Sequence, residues 1–420
     1  MVPIDSPDLR ILPKHFTSKE RQHFLRNISL SRAFYANKRN TNLGLNSISS
    51  PLSNIQKSYF VTQLTFGNHQ PPFSAIVILD TSADLTWVQC ANCNPCFNLK
   101  NPLPVDESSS YALMGPSDKR CVPKATYNGS CGFESSFGSG YTQGYMGTDN
   151  FLFNDSSGYF PNVGFGCGVN NTNFNFDFDS ENVIAGIHGL GIGPRSMITQ
   201  LDVDIKGRFT YCIKRGNGTS TILFGDDAQI KGDDARIVQR IAMKPESRYH
   251  LHLVAISVEK ERLSIDPSVF TLDDKDFTSG FFIDPSAPFT VLTYTAYIAL
   301  KSTLLRYFAT MYQWEPLASD ANIFDLCYSD VPNPSLGQIY PTITFTFVKS
   351  PGGRAGEVNL VFDPKHVFGN FGIDKGFCLQ MLPTSDSKDG PSILGAFQQF
   401  NIQFLFDINN RLLSFVPKDC

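Results

Sequence analysis

Hydrophobic and polar residues alternate with a period of two over much of this chain, a pattern typical of β-strands. The stretch SYFVTQLTFG at 58–67 alternates in this way, whereas FSAIVILD at 73–80 is a continuous apolar run typical of a buried strand. The C-terminal half returns to the same patterns in PTITFTFV, GFCLQML and IQFLFDINNRLLSFVP. The 36 Phe, 32 Gly and 26 Pro residues reinforce this reading, because Phe-rich strands separated by Gly and Pro predict a mostly β protein.

Helical patterns are fewer. The segment 16–35 predicts a basic amphipathic helix, because apolar side chains recur four residues apart and Thr17 or Ser18 is placed to cap its start. A polar segment rich in Gly, Ser and Asn follows at 37–54 and predicts a linker. Further helices are expected at 194–201, 293–312 and 396–402.

Charge is distributed unevenly along the chain. Residues 1–50 carry eight Lys/Arg and three Asp/Glu, a net of +5, which leaves 27 basic and 36 acidic residues, a net of −9, for the remainder. A basic N-terminal segment docks electrostatically on an acidic body, and a solvated basic tail is the alternative. An acidic body without a basic stripe argues against a nucleic-acid partner. No run approaches the roughly 18 apolar residues of a membrane-spanning helix.

Cysteines and glycosylation sequons favour an oxidising, secretory compartment with disulfides. The ten cysteines are Cys90, Cys93, Cys96, Cys121, Cys131, Cys167, Cys212, Cys327, Cys378 and Cys420. The N-x-S/T sequons lie at Asn27, Asn128, Asn154, Asn170 and Asn217. The first three cysteines have metal-like spacing, but no matching His/Cys set lies nearby, so we expect no metal or cofactor. The N-terminus lacks the apolar core of a signal peptide, and we expect a leader to be missing from this version of the chain.

A short internal repeat carries one aspartate in each half of the chain. ILDTSADLT at 78–86 and FIDPSAPFT at 282–290 both read apolar-apolar-Asp-x-Ser-Ala-x-apolar-Thr. Each copy follows an apolar run, and each precedes an apolar-Gly pattern more than a hundred residues later. A chance match is the alternative for so short a repeat. The pattern predicts two related lobes that place Asp80 and Asp284 at their interface.

Two carboxylates held together have a well-defined chemistry. Like charges at short range cannot both be ionised cheaply, so the pair shares one proton. Such a dyad can hold a water between its oxygens. One carboxylate takes a proton as the water attacks an amide carbonyl, and the other donates a proton to that carbonyl. The repeat therefore indicates hydrolysis of amides at acidic pH.

From Tyr59 to Cys420 the chain resembles the pepsin-like aspartic proteases, and within them the plant nepenthesin-like branch. ILDTSADLTWVQC resembles the first active-site loop, FESSFGSGYTQG the flap hairpin, and GLGIGPRSMITQL, FTYC and SILGAFQQFNIQFLFD later segments in the same order. The resemblance implies a mostly β, bilobal fold with two six-stranded-type β-barrel lobes around a central cleft. It also implies an aspartic endopeptidase, a monomer, that takes a polypeptide in the cleft and resides outside the cell, in the apoplast, or in the vacuole.

The resemblance further divides the chain. Residues 1–45 resemble the end of a propeptide, the protein's own N-terminal partner, followed by an N-terminal lobe at 46–215 and a C-terminal lobe at 216–420. The N-terminal lobe would carry a Cys-rich insert at 90–131 and the flap at 133–147. By the same resemblance Cys327 pairs with Cys378 and Cys212 with Cys420. The six remaining cysteines would staple the insert, and the sequence leaves their pairing open.

The residues around the two aspartates depart from the family's loops, which read Asp-Thr-Gly-Ser and Asp-Ser/Thr-Gly-Thr. The first hydroxyl of each loop locks the lobes together, the glycine allows close packing, and the last hydroxyl contacts the outer carboxylate oxygen. Thr81 keeps the first hydroxyl, whereas Pro285 offers neither a hydroxyl nor an N–H. The other replacements are Ser82 and Ser286 for the glycines, and Ala83 and Ala287 for the last hydroxyls.

Further departures surround the loops. Pro288 stiffens the second loop, and Phe137 stands at the flap position that usually carries Tyr. We expect Trp87 to lose the hydroxyl partner that such a Tyr provides. His188 occupies a position that is normally aliphatic and buried behind the first loop. Loss of one positioning donor costs on the order of 10²-fold in rate, and these changes all act in that direction.

Two functions are compatible with these residues. The first is an aspartic endopeptidase with an atypical site, in which Asp80 and Asp284 are catalytic and Thr81, Trp87 and Phe137 support them. The second is a catalytically silent homologue, a pseudoprotease that binds a protein or peptide as inhibitor-like relatives do. A degenerate gene copy is a third reading.

Overall fold

The structure, a computed structural model, describes most of the chain with gaps. The described residues are 23, 25–27, 29–30, 49–55, 59–68, 73–153, 158–174, 176, 182–215, 220–246, 248–273, 279–318, 324–329, 331, 340–349, 356–369, 376–384 and 390–420. Strands predominate among them, and they form the two-lobe β arrangement that the sequence predicts.

The described elements follow one another in this order. Strands β1 to β12 are Ser49–Ile55, Tyr59–Phe66, Phe73–Asp80, Trp87–Gln89, Ala112–Leu113, Thr126–Tyr127, Ser130–Phe137, Gly140–Phe153, Gly158–Thr172, Ile184–Gly189, Arg208–Cys212 and Ser220–Phe224. Strands β13 to β27 are Gln239–Pro245, Tyr249–Leu251, Leu253–Val258, Glu261–Arg262, Phe281–Ile283, Thr290–Leu292, Cys327–Ser329, Ile343–Val348, Glu357–Phe362, Phe368–Gly369, Gly376–Leu379, Met381–Pro383, Ser392–Leu394, Ile402–Asp407 and Leu412–Pro417. Helices α1 to α6 are Met197–Gln200, Asp202–Ile205, Asp234–Ile237, Tyr294–Tyr312, Pro364–Val367 and Ala396–Gln399.

One antiparallel sheet joins the two halves of the chain. Its strand order is β1-β12-β11-β26-β27-β13, so strands from the middle of the sequence pair with its last two strands. Stacked aromatic rings cover this sheet, with Phe209 and Phe406 only 4.3 Å apart between ring centroids. The lobes therefore share a rigid base, above which each contributes its own strands.

Each lobe repeats one arrangement at the end of a buried strand. In the N-terminal lobe β3 runs parallel to β10, and in the C-terminal lobe β17 runs parallel to β25. Strands β10, β17 and β25 are wholly buried, and β3 is buried over its last four residues, as expected for parallel pairs covered on both faces. Each pair delivers one active-site loop to the space between the lobes.

The predicted strands and the long helix are confirmed, whereas the linker and two short helices have other bounds. The helix predicted at 194–201 is α1, Met197–Gln200, and the one predicted at 396–402 is α6, Ala396–Gln399. The strands predicted at 58–67 and 73–80 are β2 and β3, and the long helix predicted at 293–312 is α4. The linker predicted at 37–54 is wrong at its end, because 49–55 form β1 and pair with β12 and β2. Backbone pairing needs only N–H and C=O groups, so a polar segment can join a sheet whose neighbours supply the core.

The amphipathic helix predicted at 16–35 is described only in part. His23, 25–27, Ser29 and Leu30 are helical, and we refer to these residues as the N-terminal helix. Leu25 and Ser29 are buried, whereas His23 is exposed. The prediction rested on the pairs Phe24/Ile28 and Leu30/Phe34, of which only Leu30 lies within the described residues.

Five disulfides include every cysteine of the chain. Cys212 bonds to Cys420 and Cys327 to Cys378, the pairs that the resemblance implied. The pairs that the sequence left open are Cys90–Cys167, Cys93–Cys96 and Cys121–Cys131. The first of them ties the end of β4 to β9 across 77 residues, so it fixes the wall of the lobe rather than the insert alone.

Candidate active site

The two aspartates of the repeat lie at equivalent ends of buried strands. Asp80 is the last residue of β3 and is in register with Gly189 of β10. Asp284 follows β17 directly, and its backbone N–H donates to the Leu394 carbonyl of β25 at 3.1 Å. Both side chains have no exposed surface. The fold therefore presents one buried carboxyl group from each lobe.

A second pair of contacts confirms that the repeat is structural. Six residues after Asp80, the Thr86 hydroxyl oxygen accepts a hydrogen bond from the Gly189 N–H at 3.1 Å. Six residues after Asp284, the Thr290 hydroxyl oxygen accepts one from the Gly395 N–H at 3.0 Å. Thr86 and Thr290, at equivalent positions of the repeat, thus each bond to a glycine that follows or ends the neighbouring parallel strand.

Backbone N–H groups line both carboxyls, but unequally. The N–H groups of Ser82 and Ala83 donate to Asp80 Oδ1 at 2.8 and 2.9 Å. In the second loop the Ser286 N–H donates to Asp284 Oδ1 at 2.9 Å. Among the contacts described, two backbone N–H groups thus donate to Asp80 Oδ1 and one to Asp284 Oδ1.

The Ser82 hydroxyl lies between the two carboxyls. Its Oγ is 3.0 Å from Asp80 Oδ1 and 3.1 Å from Asp284 Oδ2. The two aspartates, 204 positions apart, are thus brought into contact through a single oxygen atom. The sequence identified Ser82 only as a replacement for glycine, and the contact depends on a loop from the other lobe.

The lobes are also locked by Thr81. Its hydroxyl donates to the Ile283 carbonyl, next to Asp284, at 3.1 Å. The equivalent residue of the second loop is Pro285, which has no hydroxyl to donate in return. One of the two expected hydroxyl bonds between the lobes is present, and the other cannot form because proline has no hydroxyl.

The flap hairpin is formed by β7 and β8, with Phe137 paired to Gly140 across a tight turn at Gly138, whose φ is +58°. Phe137 is buried and packs on Tyr59, with ring centroids 5.9 Å apart. Trp87 is buried in the same hydrophobic cluster. The predicted supporting aromatics therefore gather on one side of the first loop.

His188 lies behind the first loop with no exposed surface. Its Nδ1 is 3.3 Å from the Thr86 hydroxyl, the group that anchors Gly189. Burial lowers the pKa of His188 to about 3, because the charged imidazolium would lose its hydration. The side chain is therefore neutral over most of the acidic range.

An ion pair that sequence reasoning missed fixes the outer side of the first loop. Arg195 Nε lies 3.0 Å from Asp84 Oδ2, and both side chains are only 12% exposed. Burial raises the pKa of Asp84, and the Arg195 charge opposes that shift. Gly193 leaves the space for this carboxylate, since a Cβ there would meet it at 1.9 Å. The one indication of this ion pair in the sequence was an acidic residue, Asp84, within the repeat motif.

The N-terminal helix packs against the second loop. Phe289 donates its backbone N–H to the Ser29 hydroxyl at 3.0 Å, and that hydroxyl donates to the Leu25 carbonyl at 3.1 Å. Leu25 belongs to a hydrophobic cluster that includes Ala287 and Phe289. Every residue from Phe281 to Thr290 is buried, so the second loop is covered more completely than the first.

Two other findings concern sites away from the dyad. Asn27 and Asn128 are exposed and Asn170 is half-buried, whereas Asn154 and Asn217 lie outside the described residues. Among the residues that the structure describes, no cluster of three or more His, Cys, Asp or Glu side chains is arranged to bind a metal. Within the same residues no helix combines the length and apolar character needed to cross a membrane.

Comparison with known proteins agrees with this geometry. The family model described as Xylanase inhibitor N-terminal matches residues 60–226, and Xylanase inhibitor C-terminal matches 248–417. Aspartic proteinase nepenthesin-1 of Nepenthes gracilis is 32% identical over 370 residues, covering 86% of this chain and 78% of that protein. The chain belongs to the pepsin-like aspartic protease family. The resemblance inferred from its motifs is thereby confirmed.

Other family members show similar coverage. Aspartic proteinase nepenthesin-2 of the same plant is 32% identical over 373 residues, 86% of this chain and 78% of that protein. Among solved structures, the crystal structure of edgp has a TM-score of 0.66 and 16% identity, covering 90% of this chain and 96% of that one. Basic 7S globulin from soybean has a TM-score of 0.66 at 18% identity, covering 89% and 97%. These structures support the pepsin-like fold of the chain.

Proposed function

We propose that this protein is an aspartic-type endopeptidase that binds a polypeptide between its lobes and hydrolyses it at acidic pH. One observation carries the proposal. A single oxygen atom, Ser82 Oγ, lies within 3.1 Å of a carboxyl oxygen of both Asp80 and Asp284. Because one atom lies within hydrogen-bond distance of both, the two carboxyl oxygens are close enough for a single bound water to contact both.

The roles of the proposed catalytic groups follow from their contacts. A water between the two carboxyls loses a proton to one of them as it attacks the amide carbonyl, and the other protonates the carbonyl oxygen. The Thr81 brace holds the two loops at a fixed separation, which such a proton exchange requires. The flap carrying Phe137 covers the polypeptide, and Trp87 supports it from the first lobe.

A catalytically silent, polypeptide-binding protein is the second candidate. A specific observation favours it: Ser82 Oγ already makes the contacts that a hydrolytic water needs. Ala83 and Ala287 also offer no hydroxyl to the outer carboxyl oxygens. In this case the cleft binds a protein or peptide without cleaving it.

The protein's own N-terminal segment is a further proposed partner. Residues 1–45 would act as a propeptide-like segment docked on the lobes at 46–215 and 216–420 of a monomer. Support comes from the N-terminal helix, whose buried Leu25 belongs to the same hydrophobic cluster as Phe289 of the second loop. The excess of basic residues in this segment matches the acidic remainder of the chain.

We propose a secretory location, outside the cell or in the vacuole. Five disulfides form most readily in an oxidising compartment. The exposed sequons at Asn27 and Asn128 are accessible to glycosylation. A mobility shift after endoglycosidase treatment of the plant-expressed protein, lost in Asn128→Gln, is the expected result for that site.

The enzymatic proposal is tested by acid proteolysis. The full chain is expressed through a secretory route, and protein digestion is measured at about pH 4 with and without pepstatin. We expect pepstatin-sensitive cleavage that Asp80→Asn and Asp284→Asn abolish. Asp233→Asn is the matched control, because that side chain is 92% exposed. Absence of cleavage by the folded protein would favour the silent alternative.

A further inference from the structure

Ser82 contacts the two aspartates through both its backbone N–H and its side-chain hydroxyl. Its N–H donates to Asp80 Oδ1 at 2.8 Å and its Oγ lies 3.0 Å from the same atom. The Oγ then reaches Asp284 Oδ2 at 3.1 Å. The backbone contact fixes the base of the side chain, so the hydroxyl has little freedom except rotation about χ1.

The equivalent serine of the second loop behaves differently. Ser286 also stands at a glycine position of the family's loops, and its N–H also donates to the adjacent aspartate. Its Oγ is buried and, within the described residues, has no hydrogen-bond partner. The contact with both carboxyls is therefore a particular property of Ser82, not a general result of replacing glycine by serine.

The proton count of the contact matches that of a hydrolytic dyad. A hydroxyl carries one proton and two lone pairs, so Ser82 can donate to only one carboxyl at a time. Both short contacts are hydrogen bonds only when the other carboxyl carries a proton and donates it to Oγ. The arrangement therefore stabilises a dyad with one proton, the state in which a water would be bound.

We propose that the Ser82 hydroxyl occupies the position of the hydrolytic water and holds the dyad in a closed state. This inference rests on the proposed function, since it describes how the same site is restrained. The Ser82 Oγ and the oxygen of a hydrolytic water cannot occupy the same position between Asp80 Oδ1 and Asp284 Oδ2. Water enters only when Ser82 rotates about χ1, a fast motion for a side chain that is partly exposed.

The consequence is a low turnover that a substitution can raise. Hydrogen bonds to charged groups are strong enough to bias an equilibrium by roughly ten- to a hundredfold. Removing the hydroxyl in Ser82→Ala, or the whole side chain in Ser82→Gly, therefore increases the population of the water-bound dyad by about that factor. A ligand whose own hydroxyl binds between the carboxyls gains by the same factor.

Pepstatin affinity and crystal structures test this inference separately from catalysis. The full chain and its variants are titrated with pepstatin at about pH 4. We expect Ser82→Ala and Ser82→Gly to bind roughly ten- to a hundredfold more tightly than the unchanged protein. Ser74→Ala is the matched control, because Ser74 is exposed on β3, the strand that leads into the first loop, and bonds only to Thr65 among the contacts described. Crystals of Ser82→Gly should show an ordered water bonded to both aspartates.

The outcomes distinguish the inference from the proposed function. Tighter binding and an ordered water in the variants, without proteolysis by any form, would support the occupied water position and refute the endopeptidase. Proteolysis by the unchanged protein with no gain in Ser82→Ala would support the endopeptidase and refute the inference. A water between the carboxyls of the unchanged protein, with Ser82 turned away, would also refute it.

Discussion

The Thr81 hydroxyl donates a hydrogen bond to the Ile283 carbonyl at 3.1 Å, across 202 positions of sequence. Both groups are buried, and each is adjacent to one of the two aspartates. The contact joins the loops at the point where the lobes meet. The bond runs from the residue after Asp80 to the residue before Asp284, and Pro285, the residue after Asp284, has no hydroxyl to form the reciprocal bond.

Replacing Thr81 by Val should destabilise the protein. The substitution keeps the side-chain shape but removes the donor, which leaves a buried carbonyl without this bond and costs about 1 to 2 kcal/mol. Urea denaturation measures the free energy of unfolding. Thr221→Val on the exposed face of β12 is the matched control, with an expected change within about 0.5 kcal/mol. Equal stability of both variants would mean that the brace contributes nothing.

His188 should make the fold sensitive to acid. Its pKa is about 3 in the folded protein and about 6.5 in an unfolded chain. Between these values the unfolded state holds a proton that the folded state lacks, so stability is lost as pH falls from about 6.5 toward 3, by up to about 1.4 kcal/mol per pH unit.

The variant His188→Leu tests this dependence. We expect its free energy of unfolding to fall less between pH 7 and pH 4 than that of the unchanged protein, by about 3 kcal/mol. Denaturant titrations at the two pH values give the difference directly, whatever the absolute stability of the variant. Parallel pH profiles for the two proteins would show that His188 is not the responsible group.

Replacing Arg195 should lower the free energy of unfolding, because the buried Asp84 carboxylate loses its counter-charge. Arg195→Met leaves a carboxylate that is 12% exposed without its counter-charge, and we expect a loss of about 3 kcal/mol. Arg236→Met provides the matched control, because Arg236 and Asp233 form an ion pair with side chains 83% and 92% exposed. That change should cost less than about 1 kcal/mol. Similar losses from both variants would contradict the buried-pair interpretation.

The N-terminal helix should be released by a charge at Leu25. Leu25 is 2% exposed and lies in the hydrophobic cluster that includes Phe289, so Leu25→Asp places an unpaired carboxylate in an apolar cluster. Limited proteolysis of the N-terminal segment should become at least about tenfold faster, because opening is favoured. His23→Asp, on an exposed position of the same helix, should leave the rate unchanged. If both variants are cleaved alike, the helix is not held by this cluster.

Local sequence patterns predicted the elements that depend on neighbouring residues. The alternating run that became β2, the apolar run that became β3 and the periodic segment that became α4 all match the structure closely. The helix predicted at 396–402 ends at Gln399, because Asn401 takes a left-handed backbone conformation with φ of +53° and begins the turn into β26. Such boundaries depend on single dihedral angles that periodicity does not reveal.

The sequence by itself determined that the protein is mostly β, that it is built from two related halves, and that each half supplies one aspartate. These properties follow from the alternation of hydrophobic and polar residues, from the repeated motif around each aspartate, and from the order of segments that resemble the family. Only the tertiary structure decided that Ser82 touches both carboxyls, that Ser29 bonds to the second loop and that Cys90 pairs with Cys167. The physical reason is that these contacts join residues far apart in sequence, and their geometry is set by how the two lobes pack.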